Sequence, residues 1–136
     1  MAEIEWSPAW SVGHAELDEQ HQMLLEIYNR FDAAAARGRG SREVGRLLEA
    51  LVEYTELHFA TEERILAEEG FAGLERHKTL HEQMITKLEG FRADLAAGRR
   101  FTADFRKFLG YWWQSHILEH DKDYAQELFG VPPADQ

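Results

Sequence analysis

Four short stretches carry side chains whose types and spacing suit metal chemistry. The clearest is His58-Phe59-Ala60-Thr61-Glu62-Glu63, with an imidazole and a carboxylate four residues apart. On a helix, residues at i and i+4 share a face, so His58 and Glu62 can address one point. His77 and His81 form a His-x-x-x-His pair, a two-ligand bite on a helix. His116 precedes Glu119, His120, Asp121 and Asp123, and His21 stands alone in an apolar stripe. Glu62 is the most informative, because a carboxylate on an apolar stripe is costly unless paired or bound to metal. With His21, His58, Glu62, His77, His81 and His116, and either Asp121 or His120, the inward polar groups are too many for one ion. Two carboxylates able to bridge suit a pair of metals roughly 3.5–4 Å apart. Imidazole with carboxylate fits iron, and zinc or manganese less distinctively.

Four amphipathic helices must bring these groups together. Leu17, His21, Leu24, Tyr28 and Phe31 step by three and four, which predicts a helix over about 17–37. Gly38-Arg39-Gly40 ends it, and Ser41 is a natural N-cap for a second helix over about 42–69. The inward stripe of that helix is read as Leu47, Leu51, Tyr54, His58, Glu62 and Ile65 or Leu66, with Glu63 turned about 100° away into solvent. His77, His81, Met84, Leu88, Phe91 and Leu95 define a third helix over about 74–97. Phe105, Phe108 or Leu109, Trp112, Trp113, His116 and Ile117 define a fourth over about 102–129, closed by Gly130 and Pro132-Pro133. In that helix His120 is the natural partner of His116. Asp121 sits about 140° round and needs side-chain reach or a helix irregularity. Residues 1–16 read as an arm broken by Pro8 and Gly13 and anchored by Trp6 and Trp10, with His14 as a surface or capping residue. The expectation is all-α: an up-down-up-down antiparallel four-helix bundle with an N-terminal arm, forming one domain over 1–136.

Composition narrows the function. The chain has 25 acidic against 15 basic residues and a net charge of −10, which argues against nucleic acid as a partner. With no cysteine, disulfides, zinc–thiolate sites and iron–sulfur clusters drop out together. The acidic start has no apolar run resembling a signal peptide, and no stretch is long enough for a membrane span, so a cytoplasmic location is expected. The Glu-x-x-His pairs of ferritin-like di-iron proteins are absent. A metal-free core with so many imidazoles would leave buried donors and acceptors unpaired.

The four motifs in order resemble the hemerythrins, specifically the single-domain bacteriohemerythrins. The resemblance rests on Trp6, Val12-Gly13 and Leu17-Asp18-Glu19-Gln20-His21, on His58-Phe59-Ala60-Thr61-Glu62-Glu63, on His77-Lys78-Thr79-Leu80-His81, and on Trp112, His116-Ile117, Asp121 and Tyr124. It implies two iron ions as cofactor. His77, His81 and His116 would hold one, His21 and His58 the other with an open position, and Glu62 and Asp121 would bridge along with an oxo or hydroxo group. The resemblance thus selects Asp121 over His120. It implies reversible O2 binding at the open iron in an apolar pocket lined by Leu24, Phe59, Trp112, Trp113 and Ile117. Trp113 departs from the leucine common at its position. Its ring can narrow the pocket, or its N–H can bond the bound ligand.

The resemblance implies an oxygen store, carrier or buffer, with O2 as the ligand and an oxygen-consuming enzyme as a possible recipient. Other family roles are O2 or redox sensing, and oxidase, peroxidase or nitric-oxide chemistry at the same centre. No acid–base set beyond the metal ligands marks a substrate pocket, so an enzyme is the less favoured reading. Charge-rich outer helix faces favour a monomer.

Overall fold

The computed structural model of the chain describes residues 4–38, 40–98 and 103–132. Four helical rods make up the bundle, with no strand among the described residues. They are α1 (Ala15–Ala36), α2 (Ser41–Glu68), α3 (Leu74–Ala96) and a fourth rod in three parts: α4 (Ala103–Ser115), a π-helical turn (His116–Asp121) and α5 (Lys122–Phe129). Thr102, expected to open the fourth helix, lies outside the described residues, as do Arg39, Pro133 and the first three residues of the arm. α1 packs against α2, α2 against α3, and α4 against α1, the neighbour relations of an up-down-up-down bundle.

The stripe on α1 matches its spacing, with Leu17, His21, Leu24, Tyr28 and Phe31 buried; on α3 His77, His81, Met84 and Leu88 are buried, whereas Phe91 and Leu95 further along are only partly so. On α2 the inward line differs from the expected one. Leu48 and Thr55 are fully buried, whereas Leu47 and Tyr54 are only partly so. The buried series 48, 51, 55, 58, 62 alternates steps of three and four, the seam of near-parallel helices packed closely along their length. On α4, Leu109 rather than Phe108 enters the core; Phe108 is 39% exposed and Lys87 lies over its ring.

The helices start and stop by local chemistry. α2 begins at Ser41 itself, so Gly40 and not Ser41 takes the cap position. His14 caps α1, its Nδ1 accepting from the Leu17 N–H at 3.4 Å. Gly130 ends α5 in the left-handed conformation at φ 66°. The arm contains one 3-10 turn, Pro8–Trp10. Trp6 and Trp10 pack on the main core, as expected of anchors. Asp18 accepts from the Val12 N–H at 2.8 Å, and buried Lys122 donates to the Ser11 carbonyl at 2.8 Å, so the arm is tied to both ends of the sequence. Gly13, at φ 78°, lies so close to Val131 that a Cβ would fall 2.6 Å from its side chain.

Because neighbouring rods run in opposite directions, residues at equal heights can be read off the register. His21, His58, His81 and His116 occupy one level, one from each rod. Three residues onward in α1 and α3, and three back in α2 and α4, stand Leu24, Met84, Thr55 and Trp113, all fully buried. This upper level is about one helical turn away. On the other side are Leu17, Glu62, His77 and Asp121, also buried. The candidate metal ligands thus occupy two adjacent levels of the core.

Candidate metal centre

Seven side chains converge across those two levels, each no more than 4% exposed: His21, His58, Glu62, His77, His81, His116 and Asp121. Their ligating atoms form two groups, within each of which all lie within 4.8 Å of one another. One is Glu62, His77, His81 and His116, and the other is His21, His58, Glu62 and Asp121. The carboxylates are divided between the imidazoles. Glu62 Oε1 is 2.8 Å from His77 Nε2 and 3.1 Å from His81 Nε2, while its Oε2 is 3.2 Å from His58 Nε2 and 3.5 Å from His21 Nε2. Asp121 places Oδ1 3.1 Å from both His77 and His116 Nε2, and Oδ2 3.0 Å from His21 Nε2.

Asp121 reaches this position because the fourth rod changes its hydrogen-bond repeat. Between His116 and Asp121 the chain is π-helical, and an i→i+5 turn brings residues five apart onto one side. His120 stays half-buried, outside both groups, its ring 5.6 Å from that of His116. Spacing alone could not choose between His120 and Asp121, because the choice depends on this local unwinding.

A second set of side chains orients the first. His58 Nδ1 is 2.8 Å from Gln20 Oε1, and His81 Nδ1 is 2.8 Å from a Glu63 carboxylate oxygen. Each contact makes Nδ1 the protonated nitrogen, so Nε2 offers its lone pair inward. Glu63 is therefore not the solvated residue expected from its angle on α2: it is 28% exposed and reaches round to His81. The Tyr124 hydroxyl donates to Glu62 Oε2 at 2.9 Å. Sequence reasoning missed these orienting roles of Gln20 and Glu63; their position one residue from His21 and Glu62 was the available signal. Phe59 stacks on His81 at a 3.6 Å centroid separation, and Trp112 on His116 at 4.5 Å. Of the expected pocket residues, Leu24, Phe59, Trp113 and Ile117 are buried and Trp112 is half-buried against His116.

The electrostatics are those of a buried, self-neutralising cluster. Burial pushes the His21 imidazole down, but Asp121 and Glu62 outweigh it and lift the pKa to about 9. The same balance lifts His77 to about 10. Burial dominates at His58 and His116 and lowers both. Burial opposes ionisation of Glu62, and Glu62 adds to the penalty at Asp121, yet the surrounding imidazoles hold both carboxyls well below their ordinary range. Tyr124 is pushed far up by burial and by the same carboxylates, so it stays a proton donor.

Several of these atoms are close without being aligned as hydrogen bonds. His21 Nε2 and both Asp121 oxygens lie within contact distance, as do His116 Nε2 and His81 Nε2 with their carboxylates, yet none has a hydrogen-bond partner. Potential ligand atoms set side by side around common points, buried and without aligned hydrogen bonds, are what a bound cation would satisfy in place of the shared protons. The donor set of five imidazoles and two carboxylates, without sulfur, fits a first-row transition metal such as iron.

The chain matches the family model described as the hemerythrin HHE cation binding domain over residues 12–128. This chain belongs to the hemerythrin family. Among its hemerythrin relatives is the bacteriohemerythrin of Methylococcus capsulatus (strain ATCC 33009 / NCIMB 11132 / Bath), 31% identical over 129 residues, covering 92% of this chain and 96% of that protein. The bacteriohemerythrin of Stenotrophomonas maltophilia (strain R551-3) is 30% identical over 128 residues, covering 94% of this chain and 83% of that one. The myohemerythrin of Riftia pachyptila is 32% identical over 128 residues, covering 90% and 92%. The fold superposes on a crystal structure of wild-type hemerythrin with a TM-score of 0.87 at 28% identity, covering 93% of this chain and 98% of that one. The all-α bundle is the hemerythrin fold, and no described helix is long and apolar enough to cross a membrane.

Proposed function

We propose that the chain binds O2 reversibly at a non-haem di-iron centre, for oxygen storage, buffering or delivery to an oxygen-consuming enzyme. The observation that supports this best is the division of both carboxylates: Glu62 presents one oxygen to each histidine group, and Asp121 does the same. In this reading His77, His81 and His116 would hold one iron and His21 and His58 the other, with Glu62 and Asp121 serving both. The His21–His58 group offers one imidazole fewer than the other, so a metal held there would have room for O2. When bound, the pair supplies one electron from each iron to the ligand and takes both back on release.

The chain's own residues make reversibility possible. Gln20 and Glu63 hold His58 and His81 in the tautomer that turns Nε2 inward. Tyr124, kept protonated, steadies the Glu62 carboxylate by donating to Oε2. Leu24, Phe59, Trp113 and Ile117 exclude water from the upper side, and the stacked Trp112 closes the approach to His116. Excluding water limits the supply of protons that would let a reduced ligand depart and strand the irons oxidised.

Gas exchange on the iron-loaded protein tests the proposal. Uptake of one O2 per two irons, fully returned under argon, is the expected result. Net O2 consumption without return would replace the carrier reading with sensing or oxidase chemistry. We infer a monomer in the cytoplasm, and sedimentation at increasing concentration checks the first part directly.

A further inference from the structure

The upper level of the core contains Leu24, Met84, Thr55 and Trp113, all fully buried. Two of these carry a buried polar atom with no hydrogen-bond partner: Thr55 Oγ1 and Trp113 Nε1. Thr55 forgoes the ordinary escape for a helical threonine. Thr61 and Thr79 donate to the carbonyl four residues back, at 3.0 and 3.1 Å, whereas Thr55 does not. Leaving a buried hydroxyl unmatched is costly, and a valine would fill the same volume without that cost. Trp6 Nε1 also lacks a partner, but Trp6 lines a solvent-open groove of about 480 Å³ beside α1. Thr55 and Trp113 do not line that groove.

Their place relative to the histidines suggests what they serve. Thr55 is one turn from His58 on α2, and Trp113 one turn from His116 on α4. The Trp113 ring lies 5.9 Å from Phe59, which itself stacks on His81. The His21–His58 group draws its donors from the middle and lower levels only, so its remaining side faces this upper level. An indole N–H can only donate, and a hydroxyl can donate, so the shared preference is for an acceptor. Two ferric ions would outweigh the charge of two carboxylates even with an oxo bridge counted, so an anionic acceptor is favoured over a neutral one. We propose that Thr55 Oγ–H and Trp113 Nε1–H form a two-donor cap over the two-histidine side, recognising the outer atom of a small inorganic monoanion. The inference rests on the di-iron reading and adds to it a polar selectivity element within an otherwise apolar pocket.

The test uses azide as the probe on the ferric, iron-loaded protein, with affinity read from the azide-dependent visible absorption. Thr55→Val and Trp113→Phe are each expected to weaken azide about five- to tenfold, the worth of one hydrogen bond to a charged acceptor. Thr55→Ser, which keeps the hydroxyl, is expected to stay within about twofold of wild type. A second readout needs no metal: the thermal midpoint of metal-free Thr55→Val is expected to equal or exceed that of the parent, because an unmatched hydroxyl has been removed. Azide affinity within twofold of wild type in both Thr55→Val and Trp113→Phe overturns the cap while leaving the di-iron reading intact. So does a metal-free Thr55→Val that melts several degrees lower, since the hydroxyl would then be structural. A wild-type protein that takes up iron poorly overturns both.

Discussion

His116 and Asp121 stand five residues apart, yet Asp121 Oδ1 lies 3.1 Å from His116 Nε2. In an unbroken α-helix those side chains would diverge by about 140°. The π turn between them brings them to one point and continues into α5, which delivers Tyr124 to the opposite side of the cluster. Asp121 also contacts His21 and His77, so this one carboxylate joins groups from three rods. Asp121→Asn keeps the volume and removes the charge. It is expected to lower bound iron to about one per chain or fewer, with far-UV circular dichroism unchanged; colorimetric iron analysis after desalting reads the outcome. Retention of two irons would show that Asp121 is dispensable as a bridge.

The contacts from Gln20 to His58 and from Glu63 to His81 predict a graded effect. Partners of this kind, when removed, typically cost 10–100-fold in metal affinity. Gln20→Ala and Glu63→Ala are expected to weaken iron binding by about that factor in chelator competition, while the stoichiometry at saturating iron stays at two. Of the two, Glu63→Ala has the larger effect, because a carboxylate acceptor is stronger than an amide. Equal affinity in all three proteins would mean that ring stacking alone orients the imidazoles.

Tyr124 makes a separable contribution. Its hydroxyl bonds a buried carboxylate oxygen, an interaction worth about 1.5–3 kcal/mol when the acceptor is charged. Tyr124→Phe is expected to destabilise the metal-free protein by that order in urea unfolding, with an unchanged slope. A midpoint within error of the parent would mean the Glu62 charge is already satisfied by its imidazoles.

Protonation gives the metal-free protein a defined window of stability. His21 and His77 have folded pKa values near 9 and 10, above the unfolded 6.5. Their stabilisation is complete below pH 6.5 and disappears as pH rises through 9 to 10. His58 and His116 are depressed, so the unfolded chain takes up more protons and stability falls as pH drops below 6.5. The depressed Glu62 and Asp121 add a further loss at still lower pH. The unfolding midpoint of chelator-treated protein is therefore expected to peak near pH 6.5, to fall as pH rises towards 9 to 10 and to fall again at lower pH. A midpoint that keeps rising above pH 10 would contradict the proton-shared cluster.

Much of this arrangement is legible in the sequence, because helical stripes carry the polar residues with them. His21 lies between Leu17 and Leu24 at core spacing, and His77 and His81 continue into Met84 and Leu88; all are buried where periodicity places them. Where periodicity is the wrong description, the reading loses precision. The π turn breaks the regular step on which every angular argument depends, so His120 and Asp121 could not be ranked by spacing. Glu63 has a side chain long enough to reach back across its helix face, which a projection of Cα positions does not represent. On α2, Tyr54 and Thr55 stand about 100° apart on either side of the His58 stripe, and packing against α1 and α3 decides which of them faces the core. Assigning the inward place to a tyrosine hid the unmatched hydroxyl beside it.

The central claim is that these seven residues hold two irons. The most direct measurement is an anaerobic Fe(II) titration of the metal-free protein, with bound iron counted at each step in wild type and in Glu62→Gln. The account predicts saturation at about two irons per chain in wild type and clearly fewer in Glu62→Gln, since Glu62 serves both groups. Saturation of the wild type at one iron, or equal saturation of the two proteins, would contradict it.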